Sequence, residues 1–211
     1  MGREERAART LAESLKGLKV AVDVQHLYKA PPDNNDHGAA FVLADGRRVT
    51  EAQLSTQYAA ALCAWLRARG AAVVTNDPVG GRMLGSYASR NRQATAQGVN
   101  AYLACHVNAG GGSYSAVEYM VGTPGAALAQ QVGAKLAAAF PIYHGTKAVA
   151  LVRGQRGAVC IEDCARTIPA VILEPFFGDN PKHQVLATPT MLRILGEAIG
   201  QAVAAWWVAS K

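Results

Sequence analysis

Residues 50–75 read TEAQLSTQYAAALCAWLRARGAAVVT, a helical pattern followed directly by a strand-like one. Thr50 and Gln53 have the spacing of a capping box, so a helix is predicted to begin at this point. Apolar residues then recur at helical spacing until Gly70, a residue type that often ends helices. The apolar run at 71–75 predicts a buried strand, so this stretch encodes one helix–strand unit.

The same alternation of helix and strand patterns extends outward in both directions. Upstream, KVAVDV at Lys19–Val24 predicts a buried strand, preceded by an amphipathic helix within 1–18. Downstream, strands are predicted at 101–107, 116–121, 148–152, 158–162 and 171–174, and helices at 87–97, 124–140 and 189–207. This order is typical of an α/β domain, so we expect a mostly parallel, twisted sheet of about six strands with helices on both faces. The whole chain, 1–211, is predicted to be one domain.

Composition excludes several classes of protein. Half of the 211 residues are apolar and 17% are charged, which is typical of a globular protein rather than a disordered one. We expect no membrane span and no export signal, because no run of eighteen apolar residues occurs and charges are spread through the first twenty residues. A net charge of +6 predicts attraction to polyanions, but Lys and Arg form no dense run and no nucleic-acid-binding motif is present. A specific nucleic-acid partner is therefore not expected.

The four cysteines are expected to be reduced and buried as small apolar residues. They are Cys63, Cys105, Cys160 and Cys164. The spacing of Cys160 and Cys164 would suit a metal or a disulfide, but no second Cys/His pair accompanies them. A structural role is favoured.

Polar residues that follow apolar strands are candidates for a functional site, because ligands of open α/β sheets gather at the carboxyl ends of the strands. His26, His106 and Glu174 occupy such positions, and Glu51 lies in the first turn of the helix capped by Thr50. Two histidines and one carboxylate form a catalytic zinc set that leaves a fourth place for water, and the other carboxylate is then free to act as a base. Spacing alone leaves a structural alternative to the zinc site. The histidines at the strand ends could make only structural hydrogen bonds, and Glu51 could be stabilised by the helix dipole.

These segments resemble the zinc-dependent N-acetylmuramoyl-L-alanine amidases of the amidase type 3 family, over about residues 19–206. DVQHLYK resembles the family segment that carries the first histidine, which falls on His26. The glutamate that opens the next family helix falls on Glu51, and AYLACHVNAG places the second histidine at His106. PAVILEPFFGDN resembles the closing family motif, so the resemblance assigns the catalytic glutamate to Glu174. It implies one Zn²⁺ per chain, held by the first three residues.

The sequence departs from the family pattern around the first histidine. Gln25, Leu27 and Tyr28 replace glycines, which makes the shape of the cleft uncertain but leaves the ligands in place. Cys105 stands beside His106, and strand alternation is expected to point it to the other face of the sheet. Three further residues are expected to orient the metal ligands through hydrogen bonds or to contact the substrate: Glu118, Asn108 and Arg90.

The resemblance implies hydrolysis of the amide between the lactyl group of N-acetylmuramic acid and the L-alanine of the peptidoglycan stem peptide. A zinc peptidase of the carboxypeptidase or aminopeptidase type and a non-catalytic wall-binding homologue are the alternatives. We expect a monomeric, endolysin-like bacteriolytic enzyme, attracted by its charge to anionic wall polymers. It would be made in the bacterial cytoplasm without a signal peptide and would act on the wall after release.

Overall fold

A six-stranded sheet forms the centre of the computed structural model, which describes residues 15–27, 37–76, 83–141 and 145–211. The strands are β1 (Lys19–Val24), β2 (Ala40–Val42), β3 (Arg48–Thr50), β4 (Ala72–Thr75), β5 (Ala101–Cys105), β6 (Ser115–Met120), β7 (Thr146–Leu151) and β8 (Ala170–Glu174). The helices are α1 (Glu51–Arg67), α2 (Tyr87–Ala96), α3 (Gly125–Ala139) and α4 (Pro189–Ala209). Short 3₁₀ helices lie at Ala158–Cys160 and Gln184–Leu186.

The order of strands in the sheet is β4-β1-β5-β8-β6-β7. All neighbouring strands are parallel except β6 and β8, which are antiparallel. The carboxyl ends of β1, β5 and β8 therefore meet at one edge, in three adjacent central positions. The predicted mostly parallel sheet is confirmed.

Layers of helix cover both faces of the sheet, as predicted. Val22, Leu103 and Leu173 point to the face that carries α1, α3 and α4 and form the larger apolar core with them. Ala104 and Ile172 point the other way, where α2 and the segment after β7 form a second core. Because side chains alternate along each strand, neighbouring residues of one strand belong to different cores.

Helix α1 begins with the predicted capping box. The Thr50 hydroxyl accepts a hydrogen bond from the Gln53 amide at 3.3 Å, and the Gln53 side chain accepts one from the Thr50 amide at 2.8 Å. Gly196 brings α1 against α4, because a Cβ at this position would lie 2.2 Å from the Tyr58 carbonyl oxygen. This close contact fixes the helix whose first residue is Glu51.

The structure differs from the predicted elements in three places. Residues 158–162 form a 3₁₀ turn instead of a strand, because the backbone enters it through Gly157 at φ +89°. The β2–β3 hairpin was not predicted, and α3 begins at Gly125 after a Pro124 cap that makes no side-chain hydrogen bond. Most of the helix predicted within 1–18 lies outside the described residues. No helix in the described ranges is long and apolar enough to cross a membrane.

Candidate active site

Three predicted ligands converge at the sheet edge. His26 follows β1, Glu51 opens α1 and His106 follows β5. One ligand atom from each lies within 4.8 Å of the others. Glu51 Oε1 is 3.6 Å from His26 Nε2 and 2.7 Å from His106 Nδ1. Two imidazoles and a carboxylate at this separation are the donor types of catalytic zinc sites.

The backbone at His26 has an unusual conformation that nearby polar side chains stabilise. Its φ is +58°, and among the described residues it is the one non-glycine with positive φ. The Arg90 guanidinium donates to the Leu27 carbonyl at 3.0 Å, and the Asn76 amide donates to the Val24 carbonyl at 2.7 Å. The Val24 and Leu27 carbonyl groups, on either side of His26, therefore both accept hydrogen bonds from buried side chains.

Arg90 lies behind the site in a buried polar cluster. Its Nη1 is 2.9 Å from the carboxylate of Asp23, and both side chains are fully buried. Tyr102 and Gln25 donate further hydrogen bonds to this carboxylate. Burial raises the pKa of Asp23, although the charge of Arg90 opposes the shift. Of the two roles expected for Arg90, this position suits support of the ligands, because the guanidinium does not reach the surface.

Two of the three residues that replace family glycines, Gln25 and Leu27, are described and do not line the cavity of the candidate ligands. Gln25 is fully buried and binds Asp23, so its side chain points into the sheet layer. Leu27 is partly buried against the larger core. Tyr28 lies outside the described residues.

Glu51 is bound on both carboxylate oxygens. Oε1 accepts from the Val107 amide at 3.2 Å and Oε2 accepts from the Ala39 amide at 3.1 Å. Burial opposes ionisation, but hydrogen bonding and the charge of His106 outweigh it and lower the pKa of Glu51. Gly38 is required beside it, because its φ is +72° and a Cβ would lie 2.5 Å from Glu51 Oε2. The carboxylate is thus held in its ionised form.

Glu174 lies beside His106 at the end of β8. The register pairs Cys105 with Leu173, so His106 and Glu174 point to the same face of the sheet. Burial raises the pKa of Glu174 to about 8, and Oε2 has no hydrogen-bond partner among the described residues. Glu174 lines a cavity of about 510 Å³ together with all three candidate ligands. The protonation state of this carboxyl group can therefore change near neutral pH.

Glu118, Asn108 and Cys105 are the remaining residues considered from the sequence. Glu118 shares the sheet face of Glu174 on β6, and burial raises its pKa as well. Asn108 lines the cavity, and its side chain accepts from the Ala109 amide at 2.8 Å. Cys105 belongs to the core on the opposite face, as strand alternation predicted.

Sequence reasoning missed three residues of the cavity wall. Arg156 is exposed and lines it, while Tyr87 and Cys160 contact the candidate ligands. The Tyr87 hydroxyl is 3.5 Å from His26 Nδ1, and Cys160 Sγ is 3.6 Å from His106 Nε2. The spacing of Cys160 and Cys164 is the one sequence signal at these positions, and a structural role was favoured for it. No sequence pattern marks Tyr87 or Arg156, because the segments that carry them reach the site only in the folded chain.

A family model matches nearly the whole chain. Residues 20–205 match the Amidase_3 family model, described as N-acetylmuramoyl-L-alanine amidase. None of the curated protein sequences gives a significant match.

Several solved structures share the fold. Cwp6 from Clostridium difficile superimposes with a TM-score of 0.71 at 21% identity, covering 89% of this chain and 29% of that one. The N-acetylmuramyl-L-alanine amidase Ami1 from Mycobacterium smegmatis gives 0.71 at 16% identity, covering 93% and 99%. An N-acetylmuramoyl-L-alanine amidase from Clostridium difficile 630 gives 0.70 at 19% identity, covering 92% and 98%. The family model spans nearly the whole chain, and the chain therefore belongs to the Amidase_3 family of N-acetylmuramoyl-L-alanine amidases.

Proposed function

We propose that His26, Glu51 and His106 hold one zinc ion while Glu174 transfers protons during hydrolysis of the amide between N-acetylmuramic acid and L-alanine. The observation that carries this proposal is the convergence of the three ligand atoms within 4.8 Å. Each comes from a different element, so the cluster is a product of the fold rather than of local spacing.

The chemistry of the donor set fits zinc. Imidazole nitrogens and a carboxylate oxygen are its usual protein ligands in hydrolases, with one position left for water. Glu51 is suited to the task because, although burial opposes ionisation, the hydrogen bond with His106 and the charges of both histidines lower its pKa. When bound, zinc supplies Lewis acidity toward the scissile carbonyl and lowers the pKa of water to about 7.

Glu174 has the properties of a proton carrier. Its pKa of about 8 lets it exist in both protonation states near neutral pH. We propose that it accepts a proton from the attacking water and donates it to the leaving amine of L-alanine. Its side chain lines the same cavity as the three candidate ligands.

The cavity also carries groups suited to the stem peptide. Arg156 is exposed on its wall and forms no ion pair with a described carboxylate, whereas Arg153 pairs with Glu162. We propose that Arg156 faces carboxylates of the stem and that Asn108 contacts its backbone. A monomeric state and attraction to anionic wall polymers stay predictions.

Digestion of purified peptidoglycan tests the reaction directly. Mass analysis should reveal new L-alanine amino termini, which should disappear after chelation and return when zinc is restored. Undiminished release of L-alanine termini by metal-free protein would contradict the zinc mechanism. Termini from another residue of the stem would support the peptidase alternative.

A further inference from the structure

Each ligand histidine directs one ring nitrogen toward Glu51 and the other toward a second side chain. His26 presents Nε2 to Glu51, and its Nδ1 is 3.5 Å from the Tyr87 hydroxyl. His106 presents Nδ1 to Glu51, and its Nε2 is 3.6 Å from Cys160 Sγ. The two rings thus present opposite nitrogens to Glu51.

The two outer partners are joined by Asn91. This fully buried side chain donates through Nδ2 to the Tyr87 carbonyl at 3.0 Å and to the Cys160 carbonyl at 2.9 Å. Tyr87 begins α2, and Cys160 ends the 3₁₀ turn that packs against this helix. One amide group therefore links the backbones that carry both outer partners.

A metal-binding histidine needs a hydrogen-bond partner on its outer nitrogen. The side-chain torsion that rotates the ring is soft, and the two ring nitrogens differ only in their surroundings. A hydrogen bond to the outer nitrogen selects the nitrogen that faces a metal and holds the ring at one angle. Carboxylates and backbone carbonyls usually supply this bond. At His106 the group in that place is a thiol.

We propose that Cys160 and Tyr87 are positioning residues that set the ring orientations of His106 and His26, with Asn91 fixing their spacing. The inference rests on the proposed zinc site. Cys160 itself lies outside the cluster of three ligand atoms and contacts the far nitrogen of His106. Its role is therefore to orient a ligand and not to bind the metal.

Zinc affinity measured by competition with a chromophoric chelator tests the proposal. Cys160→Ala should weaken binding roughly tenfold, at the lower end of effects seen for outer partners because a thiol bonds weakly. Cys160→Ser should restore affinity to near the wild-type value, since a hydroxyl can also bond Nε2. Tyr87→Phe should weaken binding less than Cys160→Ala.

Cys164→Ala is the matched control. Cys164 lies in the same core, but its thiol bonds the Ile161 carbonyl at 3.3 Å. Loss of one buried thiol there should leave zinc affinity unchanged, and circular dichroism should show that both alanine variants are folded. Equal affinity in wild type and Cys160→Ala would overturn the proposal, as would equal weakening by Cys160→Ala and Cys164→Ala.

Cobalt substitution separates an orienting thiol from a ligand. We expect the spectrum of the cobalt-loaded protein to lack a thiolate-to-cobalt charge-transfer band, and Cys160→Ala to shift its ligand-field bands. A charge-transfer band that vanishes in Cys160→Ser would make Cys160 a ligand and overturn the inference. Failure of the wild type to bind either metal would instead contradict the zinc site itself.

Discussion

Glu51 and Glu174 are two carboxyl groups that line one cavity, and their surroundings shift the two pKa values in opposite directions. Burial opposes ionisation of Glu51, but its hydrogen bond with His106, the charges of both histidines and the Ala39 amide lower its pKa. Glu174 is buried with one oxygen unpartnered among the described residues, so its pKa is raised to about 8. Such a division separates a charged ligand from a proton carrier.

Glu174→Gln should retain zinc and stability but lower kcat at least about 100-fold, because the amide cannot accept or return a proton. Metal content, thermal unfolding and release of L-alanine termini measure the three properties. Glu118→Gln is the control, since it neutralises a neighbouring carboxyl group on the same face of the sheet. If Glu174→Gln kept most of its rate and Glu118→Gln lost it, Glu118 would be the base instead.

Glu51→Gln should instead weaken zinc binding, because a neutral amide is a poor zinc ligand. The surroundings of Glu51 stabilise the ionised carboxylate that this substitution removes. Equilibrium dialysis against zinc measures this loss. If Glu174→Gln lost zinc to the same extent, Glu174 would be a ligand and the proposed division of roles would be wrong.

At the scale of elements, α1 connects the core to the site. Its first residue is Glu51. Further along the same helix, the Tyr58 hydroxyl donates a hydrogen bond of 2.8 Å to the His106 carbonyl. The backbone of the same helix meets α4 where the Tyr58 carbonyl oxygen faces Gly196. A change in the distance between these two helices should therefore reach both Glu51 and His106.

Gly196→Ala should lower the free energy of unfolding by about 1–3 kcal/mol, the usual cost of overpacking a filled contact. The new Cβ would lie 2.2 Å from a backbone oxygen of α1, which cannot move without shifting the helix. Urea denaturation gives the measurement. Gln201→Ala, at an exposed position of the same helix, should change stability by less than about 0.5 kcal/mol. Equal stability of the two variants would show that α1 and α4 adjust freely.

At the scale of the whole molecule, the topology places three strand ends and a helix start at one sheet edge, and the surface carries a net charge of +6. Bacterial walls carry anionic polymers. Electrostatic attraction to them acts over about 8 Å at physiological salt and falls as salt rises.

Lysis of whole cells should therefore slow as salt is raised, while cleavage of a small soluble muramyl peptide should change much less. Initial rates for both substrates over one series of salt concentrations make the comparison. An equal decrease for both substrates would mean that the charge does not assist capture of the wall.

Local patterns in the sequence determined much of the fold and the positions of the site residues. Hydrophobic periodicity and the Thr50 capping box involve neighbours along the chain, so α1 and the strands that lead to His26, His106 and Glu174 could be predicted from them. The resemblance to a known family then supplied the roles proposed for these residues.

Only the tertiary structure decided which side chains support the site. The antiparallel placement of β6 depends on packing between distant segments, and the short β2–β3 hairpin has too few residues to show a periodic pattern. Cys160 looked like an ordinary buried thiol, yet folding brings it to His106. Contacts of this kind join residues far apart in the chain, so their energies depend on the assembled fold and leave no local pattern to recognise.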